Sequence, residues 1–220
     1  GYMTDKSPTS KEAIDAQRLN SDDAINNFFS FINVTNIKKY DPAYVAQINS
    51  AEELLKGLVA FRQKADNFQV TNKEVIAYYT KTISTLIDSV LIASNVSPDN
   101  NITKILGGYT NFMYAKENTG LERANGNVLL RSKTFNEETY RSFLSVIAKQ
   151  EVYLSSFFGQ LPKDNQKAKD ILENYNLTME ETVPIIDGYR QDIIHNAIDC
   201  NFTTTGDQWF EDITYHIDNL

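Results

Sequence analysis

Residues 115–127 read AKENTGLERANGN, and the fold class turns on them, because a helical period runs through the stretch while its composition becomes polar. At about 100° per residue, Leu106, Tyr109, Met113, Ala124 and Val128 fall on one apolar stripe. Glu117 and Gly120 lie within that stripe and Arg123 lies at its edge. A stripe of this kind is expected to face a core. None of Lys116, Glu117, Glu122 or Arg123 has an opposite charge three or four residues away, so an intrahelical pair can satisfy none of them. Their partners must come from another helix, another subunit or a ligand.

Working outward, helical periodicity continues on both sides. Upstream, Ser97-Pro98-Asp99 is a turn, and before it Thr71-Asn72-Lys73-Glu74 reads as a capping box opening a helix to about Val96. The helices on either side of Pro98 would each be roughly 35–50 Å long, and their lengths predict an antiparallel hairpin. Earlier still, a helix is expected from about Ser10 to Asn33, and another from Pro42 to about Phe68. Downstream, Ser132 to Asn136 breaks the pattern and Glu137 to Phe158 restores it, until Gly159 and Pro162 stop it. A short helix is expected over Asp164–Tyr175. Thr178 with Glu181 reads as a second capping box, opening a helix to about Cys200 that contains Pro184. After a turn at Thr203–Asp207, Gln208–Leu220 closes the chain. No alternating strand pattern competes, so the expected fold is all-α, an antiparallel helical bundle.

Composition narrows the function classes. The chain has 220 residues, 41% hydrophobic and 23% charged, with nine glycines and five prolines, as befits a globular protein of long elements. A net charge of −8 argues against nucleic acid or an anionic membrane surface as partner. The same field repels small anions, so an anion site needs a local cluster of positive donors. The single cysteine, Cys200, excludes an intrachain disulfide and is expected to be buried on a helix. His195 and His216 are too few and too far apart for a metal pair, and no metal or cofactor is expected. No window approaches the run of about 18 apolar residues that spans a bilayer.

An enzyme would need a nucleophile with its base, a carboxylate dyad, a metal cluster or a phosphate loop, and none can be assembled. Glu117 and Glu122 point roughly 140° apart on one helix and are not a dyad. Arg123 is the strongest candidate for binding, because a guanidinium is planar, always charged and offers parallel donors to a planar oxyanion. Gly120, one turn earlier, leaves room for a ligand or a close helix. The alternative for Arg123 is a carboxylate partner on a neighbouring helix. Glu117 is expected to orient arginines rather than to touch an anion itself.

The run KENTGLERANG, followed by Phe135 and a helix carrying Tyr140, Gln150 and Phe157, resembles the nitrate- and nitrite-sensing domain called NIT. Weaker matches extend across the chain, at Gly1-Tyr2-Met3, Gln17-Arg18 with Asp22, Tyr79 with Ile83, and Trp209-Phe210 with Thr214 and Ile217. The resemblance implies one sensor domain over residues 1–220, built as two stacked four-helix bundles sharing long helices. It implies nitrate or nitrite as ligand, held by Arg123 in the ERA motif and by Arg190 on a later helix, with Arg18 nearby. An early basic position of the family would fall at or before Gly1. The resemblance further implies the extracytoplasmic, periplasmic part of a bacterial inner-membrane receptor of the methyl-accepting chemotaxis type. Such a piece would be tethered through membrane helices outside this sequence and would signal as a homodimer by helix displacement. A helical protein-interaction module, or a sensor of a carboxylate or amino acid, remains the alternative.

Overall fold

Local sequence sets the helix ends. Asp99 Oδ1 accepts from the amides of Asn101 and Ile102, and Thr71 and Glu74 form the reciprocal capping box that the sequence predicts. The computed structural model describes residues 6–132, 134–161 and 165–220. Among them are seven α-helices and no strand: α1 (Pro8–Val34), α2 (Pro42–Asp66), α3 (Asn72–Val96), α4 (Asn100–Arg131), α5 (Glu137–Gln160), α6 (Gln166–Asn196) and α7 (Gly206–Asp218). The all-α bundle is as expected.

The chain forms two compact units that divide at Pro98/Asp99. The boundary falls between helices, so among the described residues the units hold three and four α-helices and none is common to both, which departs from two four-helix bundles with common helices. In unit 1, α2 and α3 pair antiparallel. Gln47 reaches the Thr85 carbonyl, Tyr78 donates to the Leu54 carbonyl at 2.6 Å, and the Phe61 and Tyr78 rings stack at 4.0 Å. Two arginine pairs hold α1 to α2: Arg18 forks onto Asp66, and Arg62, buried, meets Asp22 and the Tyr79 hydroxyl. The hairpin expected across Pro98 is therefore not the pairing within either unit. The helix partner of α3 is α2, and that of α4 is α5.

By length and composition α3 could cross a membrane, with mean hydropathy 1.2 over 18 residues, against the expectation that no window comes near. Within its unit it acts as a bundle helix, burying Thr82, Ser89 and Ser94.

In unit 2, α4 runs antiparallel to α5, with Asn125 on Ser142 and Tyr114 stacked on Tyr153. The core joins Leu129, Phe143, Ile186, Ile193, Trp209 and Ile213 from α4, α5, α6 and α7. Here the buried face of α4 departs from expectation. Gly108, Ala115, Thr119, Glu122, Gly126 and Leu129 are buried, while Tyr109 of the apolar stripe is 52% exposed. The two faces lie roughly opposite one another on the wheel. The reason is volume: small residues on α4 admit large ones from its neighbours, and a Cβ on Gly126 would sit 2.5 Å from the Trp209 ring.

Two further expectations change. Residues 166–196 form one helix of 31 residues with Pro184 inside it. Thr178 opens no second helix; its hydroxyl donates back to the Asn174 carbonyl. The expected short helix began at Asp164, which lies outside the described residues, as does Pro162 at the end of α5. Cys200 is half-buried in the turn after α6, at φ 51°, with its thiol on the Ala197 carbonyl, rather than buried on a helix. The turn is fixed by Asp192, whose carboxylate accepts from the amides of Thr203 and Thr204. Thr205 and Gln208 then form a capping box that opens α7.

Candidate functional site

The central motif presents two charged groups to different neighbours. Glu122 is fully buried, and a carboxylate taken from water costs several kcal/mol unless it is paired and hydrogen-bonded. Here it is. Arg190 of α6 donates to both its oxygens, Nε at 2.7 Å and Nη2 at 2.8 Å, and Gln150 of α5 donates at 2.7 Å. Arg190 also reaches Asp187 and the Gln150 carbonyl oxygen. Burial works to lower the Arg190 pKa, but the bonds to Glu122 leave it raised. The expectation of Arg190 as a second donor beside Arg123 is thus not what the geometry presents: its guanidinium is occupied by the carboxylate that most needs a cation.

Arg123, one residue on and about 100° round the helix, points to α7. Its Nη1 donates to the Thr214 hydroxyl at 2.9 Å, and its guanidinium carbon lies 5.0 Å from the Phe210 ring centroid. The Trp209 indole N–H donates to the Arg123 carbonyl at 2.9 Å, fixing the backbone beneath. Burial lowers the Arg123 pKa, with Asp218 opposing that at longer range. Among the described residues no carboxylate lies within 4.0 Å of it. Its Nε and Nη2 have no partner and neither is sealed from solvent. Among the described residues, one of its five N–H donors is thus engaged.

Gly120 has open space where a side chain would begin, with no atom within 4 Å beyond its own helix backbone and chain neighbours. Glu117 differs from its expected role, since it makes no hydrogen bond or ion pair and orients no arginine among the described residues. Burial alone pushes its carboxyl up to about 7. The orienting carboxylate of the motif is Glu122. Arg18 is held by Asp66 at 2.7 and 2.8 Å, a pairing internal to unit 1. No cluster of three His, Cys, Asp or Glu that could hold a metal exists among the described residues.

Gln150, Phe210 and Thr214 were visible in the sequence only as isolated matches flanking the motif. The structure brings all three onto Glu122 and Arg123, and gives Trp209 and Ile217 to the core beside them. Asp187 carried no signal of its own, although it stands three residues before Arg190 on the same helix.

The central motif of this helical bundle thus sets a buried, neutralised glutamate beside an arginine that has no carboxylate partner among the described residues. The chain belongs to the NIT family, described as nitrate and nitrite sensing, which it matches over residues 1–220. NIT is a family of sensor domains rather than of enzymes. No curated protein and no solved structure matches the chain.

Proposed function

We propose that residues 1–220 form one sensor domain that binds nitrate or nitrite at Arg123. A single observation carries this reading. Of the chain's six arginines, Arg18, Arg62, Arg131, Arg141 and Arg190 each pair with a carboxylate, and Arg123 alone has no carboxylate partner among the described residues. In a chain of net charge −8, a partly buried cation with donors that no described residue engages is a place where a small oxyanion gains more than it loses. Gly120 supplies the space beside it. Arg190 contributes through Glu122, by keeping that carboxylate neutralised and away from the anion.

The receptor context follows the family. The domain would be the extracytoplasmic part of a membrane-tethered chemotaxis-type receptor, working as a homodimer. Ile102 (47% exposed), Ile105 (63%) and Tyr109 (52%) on the outer side of α4 support self-association. Calorimetry on the wild type and Arg123→Ala tests the site. Charge-assisted bonds are worth roughly 1.5–3 kcal/mol each, so Arg123→Ala should weaken nitrate binding about ten-fold or more. Unchanged affinity with the fold intact would place the ligand elsewhere. A thermal-shift screen that also includes small carboxylates and amino acids identifies which planar anion the site prefers, since a ligand at 100 times its Kd stabilises by about 2.7 kcal/mol.

A further inference from the structure

Thr214 is oriented before Arg123 reaches it. Its hydroxyl hydrogen is given to the Phe210 carbonyl at 2.5 Å, one turn back along α7, so the oxygen can only accept from Arg123 Nη1. The Phe210 ring lies against the guanidinium and covers one side of it. Between them they hold the plane of Arg123, while the Nε and Nη2 donors have no hydrogen-bond partner among the described residues. The same two contacts tie the middle of α4 to α7.

We infer that Thr214 and Phe210 are positioning residues for Arg123, and that an oxyanion bound on its free edge locks α7 against α4, making α7 the element through which occupancy leaves unit 2. The inference rests on Arg123 being the oxyanion donor proposed above. Its physical content is linkage. A guanidinium whose free donors are occupied loses its freedom to swing away from Thr214, so the ligand stabilises the contact. By the same coupling, a firmer contact stabilises the ligand.

The Thr214→Val variant keeps the shape and removes the acceptor, and α7 retains its other anchors: Trp209 and Ile213 fully buried, Asp212 on the Tyr189 hydroxyl, and His216 on Thr182. It should therefore fold. In the wild type, saturating nitrate should slow amide hydrogen exchange across α7, read by mass spectrometry, at least two-fold more than across α5. Thr214→Val should bind nitrate about five- to ten-fold more weakly and lose the protection of α7, and Thr214→Ser, which keeps the hydroxyl, should restore both. If nitrate binds in an Arg123-dependent way but α7 exchange does not respond, or if Thr214→Val binds with wild-type affinity, the inference is wrong while the nitrate site stands. If the wild type binds neither nitrate nor nitrite, the site itself is wrong and the inference falls with it.

Discussion

Glu117 and Glu122 stand five residues apart in one motif and meet opposite fates. Glu122 is sealed and neutralised by Arg190, whereas Glu117 is half-buried with no partner among the described residues and its carboxyl is pushed up to about 7 by burial. A carboxyl raised above its unfolded value binds its proton more tightly in the native state. Its contribution to stability is therefore fully present at low pH and is lost as pH rises from the unfolded value through about 7. Glu117→Gln mimics the protonated form, so it should raise Tm more at pH 8 than at pH 5, with a thermal melt at each pH as the check. A larger gain at pH 5 would show that Glu117 is stabilised as its anion. The sequence placed both glutamates where no intrahelical cation could reach, which was correct. It could not say which one a distant arginine would find, because that depends on the register of α6 against α4.

At the scale of elements, the helices were legible from period and caps: Thr71 with Glu74, Asp99, and Pro42 at the first turn all lie where the chain enters a helix. The buried face of α4 was not. An apolar stripe normally marks the core side, but on α4 the core side is small and polar because Trp209 and the Glu122 cluster need the space. Periodicity reports that a helix exists, and the sizes of its neighbours decide which way it faces. Two glycines on this helix should behave oppositely. Gly126→Ala would drive a methyl into the Trp209 ring and should destabilise by about 1–3 kcal/mol in denaturant unfolding. Gly120→Ala meets only open space and should stabilise by about 0.5–1 kcal/mol through helix propensity. The single helix over 166–196 shows the same limit, since Pro184 and a Thr-x-x-Glu pattern argued locally for a break that packing overrides.

For the molecule as a whole, the Glu122–Gln150–Arg190 ring joins α4, α5 and α6; removing Glu122 leaves Arg190 with Asp187, whereas removing Arg190 leaves Glu122 fully buried without its cation. Arg190→Ala should cost about 3–5 kcal/mol, measured by urea unfolding, because it strands the buried Glu122 carboxylate, whereas removing Glu137 from its exposed pair with Arg141 should cost well under 1 kcal/mol. The division at Pro98 gives Trp209 a wider use. It is the chain's only tryptophan and sits fully buried in unit 2, whereas unit 1 absorbs near 280 nm through tyrosine alone. Indole emission excited at 295 nm is thus a private signal from the second unit, and far-ultraviolet ellipticity sums the helices of both. If the 220 residues act as one domain, the two optical signals will trace a single unfolding curve with one midpoint, and any separation between them will measure how far one half can melt without the other.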